Sequence, residues 1–258
     1  MLSGITAAAV LAGCGGGSSP RAASGTTGRS VPGGAAVLLS ALDRTMTLRT
    51  ARFEMHISIE GLSAGADIDA NGVVDLSKGS ADMTATVHAD GRSETADARV
   101  VDGTVYAKVN GEWVSRPESA ASTTSGTSDP TAFLDELRGI TDDLRQTGSG
   151  SSHGDPTTEY AATIDLRKLS ERPGVDPARR EKAESAISAL GLSTLPVRVQ
   201  VDGENRLRKL DMTFDLSHAA SIFNSAAAGE RPTMKLSMEL WDFGVPVDIK
   251  APAGATAG

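Results

Sequence analysis

The sequence predicts an α+β protein built on a mostly antiparallel sheet with one apolar face. Three observations predict it. In Phe53-Glu54-Met55-His56-Ile57-Ser58-Ile59-Glu60 the apolar residues fall on every second position. That period of two puts Phe53, Met55, Ile57 and Ile59 on one face and the polar residues on the other. The same alternation returns over Ala81–Ala89 and Val105–Val109. Between these runs stand Asp90-Gly91, Asp102-Gly103 and Asn110-Gly111, dipeptides that accept the positive φ of a tight hairpin turn. Finally, a few segments with apolar residues at helical spacing flank and interrupt the strands. A one-sided sheet must bury its apolar face, and these helices are what the chain offers to cover it.

Taken in order, Ala35–Leu48 carries apolar residues at 35, 38, 39, 42 and 46, one face of a helix. Strands are expected near 53–60, 67–75, 80–89, 94–101, 104–109 and 112–115. Ser115–Ser128 is a polar connection rich in Ser and Thr. Asp129-Pro130 then supplies a cap and a proline for the first helical position, with Phe133, Leu134, Leu137 and Ile140 as the apolar stripe. Gln146–Pro156 reads as a flexible segment. Thr157–Asp165 reads as a strand with Thr158, Tyr160, Ala162 and Ile164 on one face. A second cap and proline, Asp176-Pro177, opens a helix over Ala178–Leu190 that Gly191 closes. Leu195–Leu216 is a hairpin that turns at Asp202-Gly203-Glu204-Asn205. A short helix over Ala219–Ala227, strands over Thr233–Trp241 and Val245–Ile249, and a disordered tail at 253–258 complete the chain.

Composition narrows the function. Hydrophobic residues make up 39 % of the chain but aromatic ones only 3 %, so the core rests on Ala, Val, Leu, Ile and Met. A net charge of −8 gives nucleic acid no electrostatic footing. The single cysteine, Cys14, excludes an internal disulfide. His56, His88, His153 and His218 are scattered, His153 within the segment read as flexible, and no nucleophile elbow, phosphate loop or paired metal-ligand spacing accompanies them. Asp67, Asp69 and Asp75 alternate along one strand and read as a solvated face. The chain reads as a non-enzyme without cofactor or metal.

The N-terminus carries a second kind of signal. Ile5–Leu11 is an apolar run too short to span a membrane but suited to a signal-peptide core. Leu11-Ala12-Gly13-Cys14 matches the lipobox of bacterial lipoproteins. That resemblance implies residues 1–13 as a signal peptide, cleavage before Cys14, a diacylglyceryl thioether on its sulfur, and acylation, such as by palmitate, of the new N-terminus. No Lys or Arg precedes the apolar run, so the signal is read as incomplete at its start. Residues 14–34, rich in Gly, Ser and Thr, form a flexible tether between lipid and domain.

Four phrases, taken together, carry a further resemblance. They are Gly103-Thr104-Val105-Tyr106 with Gly111-Glu112-Trp113; Gly154-Asp155-Pro156-Thr157-Thr158-Glu159-Tyr160; Leu195–Asp202 followed by Leu207-Arg208-Lys209; and Asp242-Phe243-Gly244-Val245-Pro246-Val247 ending in Ala251-Pro252. Their order and spacing across 35–252 resemble the LppX/LprG-type family of bacterial lipoproteins, which are similar to the LolA/LolB carriers. The resemblance implies an open, strongly curved half-barrel whose concave side is plugged by helices. It also implies an apolar cavity that accepts acyl chains, and no catalytic motif.

The inward residues Ala81, Ala85, Ala89, Ala98 and Ala107 are small, and small side chains beneath a curved sheet leave space unless helices fill it. The sheet-side candidates for lining that space are Phe53, Met55, Ile57, Ile59, Met83, Val87, Val105, Val109 and Trp113. Leu134 and Leu137 are the candidates from a covering helix. The expected protein is a monomeric lipoprotein, anchored through Cys14 on the extracytoplasmic face of the cytoplasmic membrane. Its expected role is to bind an acylated lipid or other apolar molecule, with transfer of that molecule as the further option. The alternative is a ligand-free interaction or sensory module of the cell envelope.

Overall fold

The structure is a computed structural model that describes residues 28–61, 66–89, 91–117, 130–139, 143–171, 193–217 and 232–257, with scattered positions between 180 and 191. The signal segment, Cys14, most of the tether and the expected helix at 219–227 lie outside the described residues. Of the helix expected at 178–190, positions 180, 181, 184, 187 and 188 are described and helical.

One sheet of 13 strands organises the molecule. In chain order they are β1 (Arg29–Ser30), β2 (Thr50–Glu60), β3 (Ala66–Asp75), β4 (Ser80–Ala89), β5 (Arg92–Val101), β6 (Thr104–Val109) and β7 (Glu112–Pro117). There follow β8 (Arg145–Ser152), β9 (Asp155–Asp165), β10 (Thr194–Asp202), β11 (Leu207–Asp215), β12 (Thr233–Trp241) and β13 (Thr256–Ala257). The spatial order is β1-β8-β9-β10-β11-β12-β2-β3-β4-β5-β6-β7-β13, so the two ends do not meet and the half-barrel stays open. Every pairing is antiparallel except that of β13 with β7. The sheet reaches past the expected 35–252 boundary on both sides, through β1 and β13.

The turns follow the dipeptides. Asp102 and Gly103 take φ of 50° and 69°, and Asn110 and Gly111 take 52° and 87°, the conformation a two-residue hairpin needs. Two segments depart from expectation. Gln146–Pro156 is no flexible loop but the hairpin β8–β9, turning at His153-Gly154 with φ of 47° and 86°. Val245–Ile249 forms no strand and joins no ladder, to which Pro246 could not donate. It is tied instead to the start of β2: Thr50 Oγ1 donates to the Val245 carbonyl at 2.7 Å, and the Gly244 N–H to that of Thr50 at 2.8 Å.

Helix α1 (Gly34–Thr47) lies on the concave side, its stripe Leu38, Ala41 and Leu42 buried in the core with Phe53 and Leu210. Thr45, also fully buried, satisfies its hydroxyl twice: Oγ1 donates to the Ala41 carbonyl and accepts the Leu207 N–H at 2.8 Å. That bond welds the helix to the start of β11. Helix α2 (Pro130–Glu136) and the 3-10 turn Leu137–Gly139 add Phe133, Leu134 and Leu137 to the same core. Arg138 reaches across to Asp43 at 3.1 Å. A short helix α3 (Leu166–Ser170) follows β9, capped by the Asp165 carboxylate, which accepts the Arg167 N–H.

Candidate functional site

The concave wall can be read row by row, because antiparallel register lines up inward residues across strands. Ala51, Val74, Ala81 and Val100 form the first row, continued by Val105 on β6. Phe53, Gly72, Met83, Ala98, Ala107 and Val114 form the second. Met55, Ala70, Ala85 and Ala96 form the third; Ile57, Ile68, Val87 and Glu94 the fourth; and Ile59, Ala89 and Arg92 the fifth. On the other side of β2 the rows continue into Leu240, Met238, Leu236 and Met234 of β12, and then into Leu210, Met212 and Phe214 of β11.

The wall divides into two halves. Beneath α1 and α2 it is solid: Phe53 is fully buried, as are Val74, Ala81, Leu210 and Leu240. Gly72 makes this possible. It stands directly across from Phe53, and a Cβ there would lie 2.1 Å from the Asp82 carbonyl oxygen, so glycine lets β3 and β4 close up beneath the ring. Towards the far ends of β4, β5 and β6 no described helix covers the wall. Val87 is 41 % exposed and Val109 52 %, two of the three large apolar residues left open among the described residues. Between the halves the floor is alanine, with Ala85 and Ala98 partly buried against the core. Glu94 ends the fourth row and Arg92 the fifth, both as exposed charges.

This sorts the residues that the sequence singled out. Phe53, Leu134 and Leu137 are plain core, pressed between sheet and helices. Met55, Ile57 and Met83 are buried at the border of the covered half, and Ile59 is half-buried. Val87, Val105 and Val109 stand on the concave wall, where sequence placed them. Trp113 does not: it pairs with Lys108 and so faces the convex side. There it lies under the Arg99 guanidinium, 5.2 Å from ring centroid to Cζ, while Arg99 binds Asp82 at 2.9 Å. Cys14 lies outside the described residues.

The convex face holds features that the sequence did not announce. A cavity of about 290 Å3 opens there, lined by Glu54, Met55, His56, Asp69, Ala70, Asn71, Ser237 and Glu239. It lies on the opposite side of the sheet from the expected acyl cavity, and six of its eight lining residues are polar or charged. His56 and His88, read from sequence as separate surface residues, both flank Asp69, at 2.7 Å and 3.3 Å. Asp75 is separate from that group. Burial pushes its pKa up, but hydrogen bonds from Ser77 and the charge of Lys78 outweigh this and hold it below the ordinary carboxylate value. The β8–β9 hairpin folds over this face, and His153 stacks on Trp241 with centroids 3.9 Å apart. Lys209 donates to Glu239 Oε1 at 2.9 Å, and Ser152 Oγ to Glu239 Oε2 at 2.8 Å. Burial opposes the charge on both partners, yet their mutual hydrogen bond wins: Glu239 titrates below its ordinary value and Lys209 above. The polar strand β8 and the His-Gly turn hid this arrangement from a search for apolar alternation.

No family model matches the sequence, and no curated protein matches it. Solved structures do. LprF from Mycobacterium bovis superposes with a TM-score of 0.53 at 17 % identity, over 88 % of this chain and 100 % of that one. The Mycobacterium tuberculosis lipoprotein LppX gives 0.49 at 16 % identity, over 84 % and 97 %. A LolA superfamily protein from Nitrosomonas europaea gives 0.33 at 7 % identity, over 83 % and 94 %. The chain has the fold of LprF, and the resemblance to LppX/LprG-type lipoproteins holds at that level.

Proposed function

We propose that the chain is an extracytoplasmic lipoprotein, tethered through Cys14, that binds an acyl chain against the uncovered half of its concave wall. One observation carries this reading: the apolar wall continues past its helices, from buried Met83 to Val87 at 41 % and Val109 at 52 % exposed. Hydrocarbon laid there would bury apolar surface at about 25 cal/mol per Å2. The alanine floor leaves depth for it, and Arg92 and Glu94 at the rim offer partners for a polar head group. The fold shared with LprF supports the architecture. The lipobox motif supports the tether, and the histidines are read as non-catalytic.

The test is native mass spectrometry of the full chain carrying Cys14→Ser, so that no anchor lipid adds to the mass. The expected result is a co-purifying acyl lipid that delipidation removes and a fluorescent fatty acid replaces. A bare mass with no fatty-acid uptake overturns the binding reading and favours a ligand-free envelope module.

A further inference from the structure

We propose that Glu54, His153 and Glu239 form a binding site for a divalent transition-metal ion on the convex face, independent of the acyl-binding wall. The three come from separate elements: Glu54 from β2, Glu239 from β12, and His153 from the β8–β9 turn that folds over them. His153 Nε2 lies 3.6 Å from Glu54 Oε1 and 3.6 Å from Glu239 Oε2. All three ligand atoms lie within 4.8 Å of one another. An ion with bonds of about 2.0–2.2 Å in tetrahedral geometry holds neighbouring ligand atoms about 3.3–3.6 Å apart. The two histidine-to-carboxylate distances match that spacing, and the two carboxylates, within 4.8 Å of each other, need at most a small closing movement to share an ion.

The surroundings fix two of the three ligands. Stacking on Trp241, at 15° between ring planes, sets the plane of the imidazole. Lys209 occupies Glu239 Oε1 and leaves Oε2 turned to the histidine, while the Ser152 hydroxyl steadies Oε2 from the other side. Such second partners orient ligands at metal sites. The lysine also lowers the negative charge of the site, which costs affinity, while the imidazole nitrogen favours a transition-metal ion over a calcium-type site of oxygens alone. Both carboxylates line the 290 Å3 cavity, so water or a small ligand can complete the coordination from that side. The neighbouring group of Asp69 with His56 and His88 is the rival set on the same face.

The experiment uses the full chain with Cys14→Ser, which also removes the sole thiol. Zn2+ is titrated calorimetrically. The expected result is one ion per chain, weakened at least about ten-fold in His153→Asn and in Glu239→Gln. Asparagine keeps the positive φ that the turn requires, so His153→Asn separates loss of a ligand from loss of the hairpin. Circular dichroism checks that each variant folds. Co2+ should quench the fluorescence of Trp241 in a Trp113→Phe background and fail to do so once His153→Asn is added. No stoichiometric Zn2+ binding overturns the proposal. So does binding that His153→Asn leaves within about two-fold, or that His88→Ala abolishes instead.

Discussion

The two halves of the concave wall are made from the same strands and nearly the same residue types, yet they end in different states. Phe53 and Met83 lie in one row, Ile57 and Val87 in another, and the chain buries Phe53 completely while leaving Val87 open. The difference lies in what stands above them. Helices α1 and α2 and the 3-10 turn after α2 drive Leu38, Leu42, Leu134 and Leu137 into the first half. Nothing among the described residues does the same for Val109. A sheet this wide gathers enough apolar surface to fold from one half and can leave the other for a ligand. Stability and binding should therefore respond to different substitutions on one continuous wall.

The largest effect should come from the covered half. Phe53→Ala removes a fully buried ring opposite Gly72 and should destabilise the fold by about 3–5 kcal/mol in urea unfolding. A cost below about 1 kcal/mol would mean that the covered half is loosely filled, and the contrast would fail. Gly72→Ala comes next, at about 1–3 kcal/mol, because its Cβ would meet the backbone of Asp82 and Met83 rather than a side chain able to turn away.

A smaller effect should appear at the brace behind the covered half, where Lys209 of β11 holds Glu239 of β12. Glu239→Gln should cost about 1 kcal/mol near neutral pH. The pH dependence has a definite sign. Glu239 is held below its ordinary value of 4.5, so its contribution is present above that value and lost as pH falls through the folded pKa. Lys209 is held above 10.5, so its contribution is present below that value and lost as pH rises through its folded pKa. Unfolding curves of wild type and Glu239→Gln should thus converge in acid. A gap that widens below pH 4 would contradict the assignment.

The smallest effect on stability should belong to the open half. Val109→Asn should change unfolding by no more than about 0.5 kcal/mol while reducing fatty-acid uptake several-fold. If it unfolds the protein instead, Val109 is core and the division of the wall is mistaken.

Sequence made the strands β2 to β7 legible because apolar alternation and glycine turns coincide there. It placed Val87 and Val109 on the right face for the same reason. It could not tell covered from open, since that depends on helices far along the chain. Trp113 went to the wrong face because Glu112-Trp113-Val114 sets two apolar residues side by side, and only the pairing with Lys108 decides between them. The β8–β9 hairpin escaped because Gln146–Ser152 is polar on both faces and its turn uses His-Gly in place of Asn-Gly. With the hairpin unseen, His153 read as a solvated loop residue, and the cluster around Trp241 was invisible.

The most direct measurement is photo-crosslinking of the full Cys14→Ser chain with a diazirine-bearing fatty acid, followed by peptide mapping. Label is expected on the peptides of β4 to β6 that carry Val87 and Val109, with Phe53 and Leu134 untouched. Saturable label on the convex face around His153, or no saturable label at all, would contradict an acyl site on the open half of the wall.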